Sequence, residues 1–264
     1  MRLIVTRPRE QGRAWVQRLQ GLGVDAEALP LIEIAPVADA APLQQAWARL
    51  PQTAFVMFVS ANAVQQFFRH RPEGAVWPEA LRAGATGPGT VQALVAADVP
   101  RDLIDAPAAD APRWDSEALW AQIGSRPWAG RAVLVVRGED GRDWLAEQWQ
   151  ARGAALGFVA AYRRLPPQWR DDEQALWQGI LAAPGQDLWH FSASEALRNL
   201  VGVSGAPSDW RAWPALVTHE RMLASAQAAG FAPLRCVAPT LEAAREAWAR
   251  SAGATGRFVQ SRAP

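Results

Sequence analysis

Residues 58–64 have the sequence FVSANAV, and residues 191–197 have the related sequence FSASEAL. In each stretch, apolar residues typical of a buried strand run directly into the small and polar residues typical of a helix start. Ser60 and Ser192 hold the same place in the two stretches, one in each half of the chain. The chain therefore repeats one strand-to-helix unit, and the repeat decides the expected fold.

The spacing from Ser60 to Ser192 recurs further along, because Thr86 of ATGPGT and Thr218 of LVTHER are separated by the same interval. TRPREQGRAW, at 6–15, is also similar to VRGEDGRDW, at 136–144. A repeat that takes up about half of the chain far exceeds the roughly 20 to 50 residues of solenoid repeats. We therefore expect two similar domains with a ligand cleft between them.

Short runs of Val, Ile, Leu and Phe alternate along the chain with segments of helical periodicity. This alternation predicts an α/β fold in which parallel sheets are flanked by helices. The clearest predicted strands are LIVT (3–6), AFVMFVS (54–60), AVLVVR (132–137), DLWHFS (187–192) and PALVT (214–218). These runs are apolar on both faces, so both faces of each sheet are expected to be covered.

Two extended segments that end at proline occupy equivalent places in the two halves: LPLIEIAPV, residues 29–37, and AAYRRLPP, residues 160–167. Because a residue before proline avoids the helical conformation, both are expected to be strands that cross between the domains. The predicted boundaries are 1–33 and 168–264 for a discontinuous first domain, 37–160 for an inserted second domain, and 34–36 and 161–167 for a two-stranded β linker.

The composition is that of a globular protein without a strong charge preference. Half of the 264 residues are hydrophobic, a fifth are charged, and the formal net charge is +1. All 27 basic residues are arginine, which suits planar carboxylates, although biased codon usage explains the same count. The net charge gives no reason to expect binding to nucleic acid or to a membrane surface.

The single cysteine, Cys236, excludes an internal disulfide, and the sequence contains no metal-ligand spacing. No metal site is therefore expected. The first ten residues become charged after a few apolar positions, and no apolar run approaches the ~20 residues that span a bilayer. We expect a cytoplasmic protein without a membrane segment.

Ser60 and Ser192 are candidate binding residues because they follow predicted strands. The carboxyl ends of parallel strands are the usual ligand-binding edge of such sheets, where helix N-termini offer free N–H groups. The small neighbours in SAN and SAS let a ligand approach the backbone closely. Both serines also suit the N-cap position, and capping is compatible with ligand contact.

Other catalytic motifs find little support. Neither serine lies in a G-x-S-x-G elbow, and GATGPG (84–89) and RGEDG (137–141) match no nucleotide-binding glycine motif. Of the three histidines, His70 and His190 are interpreted as structural, whereas His219 follows a strand end. A hydrolase triad is therefore not expected.

Three arginines and one tyrosine are candidates by position. Arg7, Arg137 and Arg142 follow strand ends, where a guanidinium can hold a carboxylate through two hydrogen bonds; a solvated helix start is the alternative. Tyr162 is the only tyrosine and lies in the predicted linker. Its hydroxyl can donate a hydrogen bond into the cleft, or its ring can simply pack.

Taken in order, these motifs resemble the uroporphyrinogen-III synthase family over nearly the whole chain. They are VTRP, LPLIEI, FVSANAV, GPGT, SEAL, VVRGEDGRDWLAE, AAYRR and FSASEALRNL. The resemblance implies two α/β domains, joined by a β ladder, that close on hydroxymethylbilane, a linear tetrapyrrole with eight carboxylates. It implies cyclisation with inversion of the final pyrrole ring to uroporphyrinogen III, with loss of water and without a metal or organic cofactor.

The resemblance also assigns roles to residues of this chain. It makes Tyr162 the cleft tyrosine, a hydrogen-bond donor or acid for the departing hydroxyl. It assigns substrate binding to Arg7, Ser60, Ala61, Asn62, Gly87, Thr90, Arg137, Gly138, Ser192, Ala193, Ser194 and Arg221. Many family members repeat G-P-x-T in the second half, but this chain has THER at 218–221. We therefore expect Arg221 to replace a threonine and to bind a propionate or acetate, whereas Thr90 keeps the threonine of the first half.

The expected ligand is hydroxymethylbilane, and the protein is expected to be a monomer. The only expected protein partner is the upstream bilane-forming enzyme, in a transient contact. Two alternatives stay open. One is a non-catalytic two-domain protein that closes on a small anion or a tetrapyrrole, and the other is a regulatory domain of the same fold. The presence of Tyr162 counts against the regulatory domain. An assay for chemistry on a bilane distinguishes an enzyme from the non-catalytic binding protein.

Overall fold

The protein is described by a computed structural model over residues 1–108, 111, 114–139 and 144–259. The strands are β1 (Arg2–Val5), β2 (Ala26–Ala28), β3 (Glu33–Pro36), β4 (Phe55–Phe58), β5 (Arg82–Ala85), β6 (Ile104–Asp105), β7 (Ala132–Gly138), β8 (Ala155–Leu165), β9 (Asp187–Phe191), β10 (Ala215–Val217) and β11 (Leu234–Cys236). The five clearest predicted strands are therefore present, and β3 and β8 lie in the two segments predicted to cross between the domains.

The helices alternate with these strands. They are α1 (Arg9–Gly21), α2 (Ala41–Arg49), α3 (Ala61–Arg69), α4 (Pro88–Ala96), α5 (Ser116–Ile123), α6 (Trp144–Ala151), α7 (Asp171–Ala182), α8 (Ser194–Val201), α9 (Arg221–Ala229) and α10 (Leu241–Val259), with short 3-10 segments at Leu50–Gln52 and Arg101–Leu103. Within the described ranges, no helix is long and apolar enough to cross a membrane.

The chain divides into two compact units. One contains residues 1–33 and the chain from Leu165 onward, and the other contains Ile34–Arg164. The chain therefore passes from one unit to the other at the start of β3 and at the end of β8. These two strands are neighbours in the sheet of the second unit.

Both units have the same strand order. The first sheet runs β11-β10-β9-β1-β2, and the second runs β6-β5-β4-β7-β8 with β3 added beside β8. The pairings within these two five-strand sets are parallel. Thus β9 and β10 correspond to β4 and β5, while β1, α1 and β2 correspond to β7, α6 and β8. The expectation of a duplicated α/β unit with parallel sheets is confirmed.

In the first unit, helices cover both faces of the sheet. Leu3, Val5 and Leu188 from the strands pack with Leu19 of α1 and Ala244 of α10 on one face. The other face is aromatic, and the ring centroids of Trp210 and Phe231 lie 4.9 Å apart there. Trp189 and Trp210 are fully buried and belong to the core of this unit.

In the second unit, two apolar clusters lie on opposite faces of the sheet. Val56 and Phe58 of β4 pack with Phe67 of α3 on one face, whereas Phe55 and Met57 of the same strand pack on the other. Successive strand residues point to opposite faces, so one run of four apolar residues serves both clusters. This explains why the predicted strands are apolar throughout rather than alternating.

Candidate functional site

In the second unit, several candidate residues share the carboxyl edge of the sheet. Ser60 follows β4, Gly87 follows β5, Gly138 ends β7, and Tyr162 pairs with Gly138 from β8. In parallel strands these carboxyl ends fall on the same side of the sheet. The structure therefore brings residues from four separate parts of the sequence to one edge.

Tyr162 reaches this edge through a β-bulge. Ala160 of β8 pairs with Arg137, but the next residue of β7, Gly138, pairs with Tyr162. Ala161 is thus an extra residue, and Ala161 and Tyr162 are only 0% and 1% exposed in the same apolar cluster. Neighbours in a regular strand point to opposite faces. The bulge therefore turns the Tyr162 ring toward the face covered by α3, a change of direction that bulges often supply beside functional sites.

The Tyr162 hydroxyl has two polar neighbours. Its Oη lies 3.1 Å from Ser60 Oγ, and Arg164 Nη2 donates to it at 3.4 Å. Ser60 Oγ also accepts the backbone N–H of Ala63 at 3.2 Å, which makes Ser60 the N-cap of α3, as one of the two interpretations expected. When the Ser60 hydroxyl and Arg164 both donate to Oη, the phenolic proton is left to point to a third acceptor.

The neighbouring helix starts supply the other candidates of this unit. Ala61 begins α3, Asn62 is 8% exposed, and Thr90 of α4 is 5% exposed. Gly87 is the N-cap of α4 with φ of −147°, and a Cβ built there meets nothing within 4 Å. The backbone therefore tolerates other residues at position 87. In a binding site, the missing side chain of Gly87 would let a ligand approach the N-terminus of α4 closely.

Arg137 and Gly138 end β7. Arg137 is half-buried, and its Cζ lies 4.6 Å from the ring centroid of Phe158. Phe158 itself is 46% exposed, so the pair forms part of the surface at this edge. Arg142, the third arginine candidate, lies outside the described residues.

In the first unit, the candidates lie at the corresponding edge, and Arg7 has the least ordinary surroundings. Its Cζ lies 3.9 Å from the ring centroid of Trp15 on α1, and its Nε is buried without a hydrogen-bond partner among the described residues. Burial lowers the pKa of Arg7 to about 10. Gly12 lets α1 pack closely on the segment after β1, because a Cβ there would lie 3.3 Å from the Arg7 carbonyl oxygen.

His190 lies beside this pair in β9. It is fully buried, its ring centroid is 5.2 Å from that of Trp15, and neither ring nitrogen has a partner among the described residues. Burial, and next the positive charge of Arg7, lower the pKa of His190 to about 3. The imidazole is thus neutral at physiological pH. Sequence reasoning missed this contact, because Arg7, Trp15 and His190 lie on three different parts of the chain and no local pattern joins them.

Ser192, Ala193 and Ser194 lie between β9 and the first turn of α8. The N-cap of α8 is Ala193, which makes no side-chain cap bond. Ser192 therefore does not cap its helix, and the N-cap interpretation holds for Ser60 but is wrong for Ser192. The physical reason is a shift of the helix start, since Ser60 immediately precedes α3, whereas Ala193 stands between Ser192 and α8.

The structure corrects the register of Arg221. β5 ends at Ala85 and β10 at Val217, so Thr90 and Met222 hold the same place relative to the strand that precedes each of them. Met222 is 2% exposed, as buried as Thr90, whereas Arg221 is exposed. The prediction that Arg221 replaces the threonine is wrong, because Met222 occupies that buried position. Arg221 is instead the solvent-facing first residue of α9.

The remaining histidines have local roles. His219 Nδ1 accepts the backbone N–H of Arg221 at 3.2 Å and so satisfies a donor at the start of α9, while His70 is the C-cap residue of α3. Over the described ranges, no three His, Cys, Asp or Glu residues are grouped so as to hold a metal ion.

A cavity of about 480 Å³ in the second unit lies away from these residues. It is lined at the amino-terminal starts of strands by residues such as Ala54, Arg82 and Arg131. Arg82 and Arg126 both bind the Asp105 carboxylate at 2.7 Å. Burial raises the pKa of Asp105, but the hydrogen bonds from Arg126 and Arg82 outweigh it and hold that pKa below its ordinary value. These groups satisfy one another and form a structural network.

Comparison with solved structures agrees with this architecture. A mutant uroporphyrinogen III synthase from the thermophilic bacterium Thermus thermophilus superimposes with a TM-score of 0.57 at 15% identity, over 96% of this chain and 99% of its own. Uroporphyrinogen-III synthetase from Helicobacter pylori 26695 gives a TM-score of 0.54 at 15% identity, over 93% and 97%. At such identities the likeness establishes the shared fold.

Sequence comparison establishes more. Uroporphyrinogen-III synthase of Salmonella typhimurium LT2 is 34% identical over 181 residues, which are 67% of this chain and 70% of the relative. That of Synechococcus elongatus is 30% identical over 217 residues, 80% of this chain and 78% of the relative. The family model described as uroporphyrinogen-III synthase HemD matches residues 13–245. The chain belongs to the uroporphyrinogen-III synthase family.

Proposed function

We propose that this protein cyclises hydroxymethylbilane to uroporphyrinogen III, with inversion of ring D and loss of water, as a lyase of tetrapyrrole biosynthesis. Its product would supply haem, sirohaem or cobalamin synthesis. Family membership supports the reaction class. The observation that carries the proposal is the Tyr162 hydroxyl, which the bulge in β8 places against Ser60 and Arg164 at the carboxyl edge of the sheet.

The first step is loss of the hydroxyl at the end of the bilane. Tyr162 donates its phenolic proton to that oxygen, the carbon–oxygen bond breaks, and water leaves. The terminal pyrrole supplies the electron pair and becomes an azafulvene as its N–H proton returns to the phenolate. Donation from Ser60 and Arg164 to Oη steadies the negative charge that develops there.

The later steps require orientation more than strong acid or base chemistry. The substituted carbon of ring D attacks the azafulvene methylene carbon to give a spiro intermediate, and the azafulvene nitrogen regains a proton. The bond from ring D to its original bridging carbon then breaks, and that carbon joins the unsubstituted carbon of ring D, which loses its proton. Ring D is thereby inverted with no net oxidation or reduction. Because the bilane also closes without inversion when free, the protein must mainly hold it in the productive geometry. This requirement fits a site without a nucleophile or a catalytic triad.

Carboxylate binding provides that orientation in our proposal. Backbone N–H groups at the starts of α3, α4 and α8 are supplied by Ser60, Ala61, Gly87, Ser192, Ala193 and Ser194, and the side chains of Asn62 and Thr90 lie in the first turns of α3 and α4. Arg7, Arg137 and Arg221 add guanidinium groups, and Gly138 keeps the end of β7 open. A cytoplasmic monomer that only transiently contacts the bilane-forming enzyme completes the proposal.

A coupled assay tests the function. Hydroxymethylbilane is generated in place, the protein is added, and the oxidised products are resolved into type I and type III isomers by chromatography. Predominantly type III isomer supports the proposal. If only the type I isomer forms, as in the reaction without the protein, the non-catalytic binding protein becomes the better description.

A further inference from the structure

Arg7 differs from most of the other half-buried arginines of the fold. Four of those arginines contact at least one carboxylate: Arg2 contacts Asp187 and Glu27, Arg9 contacts Glu173 and Glu33, and Arg82 and Arg126 contact Asp105. Half-buried Arg163 donates to the Pro36 carbonyl instead, and half-buried Arg137 lies on the exposed Phe158 ring. Among the described residues, Arg7 has no carboxylate partner, and its Nε has no hydrogen-bond acceptor. Arg9, only two positions further along, shows that this part of the fold can supply counter-ions.

The surroundings of Arg7 hold the cation in place without neutralising it. The Trp15 ring covers one face of the guanidinium, with Cζ 3.9 Å from the ring centroid. His190 packs on the same Trp15 ring, is fully buried, and is neutral because burial and the charge of Arg7 oppose its protonation. Arg7 therefore has an aromatic face and a neutral imidazole for neighbours, whereas Arg2, Arg9, Arg82 and Arg126 have carboxylates.

A desolvated cation without a counter-ion is unfavourable, and the pKa of Arg7 falls for that reason. A ligand carboxylate would supply the missing partner and reverse this cost. Nine buried side-chain nitrogen and oxygen atoms of the described residues have no partner, and three of them, Arg7 Nε and both nitrogens of His190, belong to this one cluster on the Trp15 ring. Their shared location at the end of β1 and β9 is a ligand-binding edge of the sheet.

We infer that Arg7 is the receptor for a single carboxylate of the ligand, and that Trp15 and His190 are positioning residues that keep its guanidinium oriented and uncompensated. Nε is enclosed, so the carboxylate approaches the outer edge formed by the two Nη atoms, where a two-pronged hydrogen-bonded contact is possible. Under the proposed function, on which this identification rests, the carboxylate is an acetate or propionate of the tetrapyrrole.

Binding of uroporphyrin III, the stable oxidised product with eight carboxylates, tests the assignment without turnover. Its dissociation constant is measured by fluorescence for the wild type, Arg7→Met and Arg13→Met. Arg13 is an exposed arginine on α1, so its variant removes the same charge without touching the cluster. We expect Arg7→Met to weaken binding roughly 10-fold or more, and Arg13→Met less than about 2-fold. Equal effects, or no effect of Arg7→Met, would overturn the inference.

Two variants of His190 test the positioning role. His190→Asn keeps a neutral polar side chain and is expected to retain the wild-type affinity, whereas His190→Asp places a carboxylate beside Arg7 and is expected to weaken binding as much as Arg7→Met. If both His190 variants fold and bind uroporphyrin III with equal affinity, the proposed role of His190 as a neutral neighbour of Arg7 is contradicted. If His190→Asp does not fold, Trp15→Phe, which keeps an aromatic face, is compared with Trp15→Leu, and only the latter should lose affinity.

The outcomes separate this inference from the proposed function. A wild type that forms type III isomer while Arg7→Met binds uroporphyrin III normally refutes only the carboxylate receptor. A wild type that forms no type III isomer refutes the synthase proposal, whatever the binding results. If the wild type does not bind uroporphyrin III, the KM for hydroxymethylbilane is measured in the coupled assay for the wild type, Arg7→Met and Arg13→Met. The same fold-changes then decide: a KM raised roughly 10-fold or more for Arg7→Met and less than about 2-fold for Arg13→Met supports the inference, and equal effects overturn it.

Discussion

The hydroxyl oxygens of Ser60 and Tyr162 lie 3.1 Å apart, although 102 positions separate the two residues along the chain. Ser60 is fixed by its cap bond to α3, and Tyr162 is turned toward it by the extra residue in β8. A helix start and a bulged strand are thus tied together at the edge of one sheet. The first prediction follows from this pair.

Tyr162→Phe should lower kcat for type III formation by roughly 100-fold, because general acid catalysis contributes factors of about 10² to 10⁴. The ring remains, so KM should change little. Ser60→Ala should lower kcat less and should also cost about 1 kcal/mol of stability through the lost N-cap. The coupled assay measures both kinetic constants, and urea denaturation measures stability. A Tyr162→Phe enzyme with wild-type kcat would remove Tyr162 from the chemistry.

Arg221→Ala should raise KM for hydroxymethylbilane by about 10-fold with a smaller effect on kcat, if an exposed guanidinium at the start of α9 binds one carboxylate. Arg18→Ala is a matched control, since Arg18 is also an exposed helical arginine. Unchanged affinity and turnover in Arg221→Ala would show that Arg221 is only a solvated residue. The buried Met222, not Arg221, then marks the departure from the threonine of the first half.

His190 predicts a pH dependence of stability. Its pKa is about 3 in the fold and 6.5 ordinarily, so between these values the unfolded chain binds a proton that the native protein does not. Stability is therefore fully present above about pH 6.5 and falls by up to ~1.4 kcal/mol per pH unit toward pH 3.

His190→Phe should lack this contribution. The free energy of unfolding is measured by urea denaturation at pH 7.5, 6.0 and 5.0 for the wild type and His190→Phe. Titrating carboxylates contribute to both proteins, so the difference between the two pH profiles gives the contribution of His190. We expect the wild type to lose stability more steeply on acidification. Parallel pH profiles would mean that His190 is protonated in the native protein.

Gly84→Ala should destabilise the second unit. A Cβ at Gly84 would lie 2.6 Å from Phe55 Cζ and 3.0 Å from Met57 Sδ, and both side chains are buried. Overpacking of this kind costs about 1–3 kcal/mol. Gly179→Ala is the control, because its Cβ meets nothing within 4 Å on helix α7, and it should stabilise by ~0.5–1 kcal/mol. Thermal unfolding distinguishes the two, and equal shifts would contradict the contact.

Local sequence patterns were sufficient for the strands, the duplication and the parallel sheets. Apolar runs such as AFVMFVS are recognisable without knowledge of their neighbours, because a strand between two helical layers must be apolar on both faces. The equal spacing of Ser60 from Ser192 and of Thr86 from Thr218 reflects the same strand and helix occurring twice. The N-cap at Ser60 is equally local, since its acceptor and donor are three residues apart.

Only the tertiary structure decided which side chains meet. The extra residue at Ala161 depends on pairing with β7, which no local pattern in AAYRR reveals, and it alone turns Tyr162 toward Ser60. Likewise, a histidine inside a strand is interpreted as structural until its neighbours are known. The sheet and α1 bring Trp15 and His190 to Arg7, and burial without a counter-ion is a property of that assembled environment. Sequence determines the elements here, whereas long-range packing determines the charges and hydrogen bonds of the site.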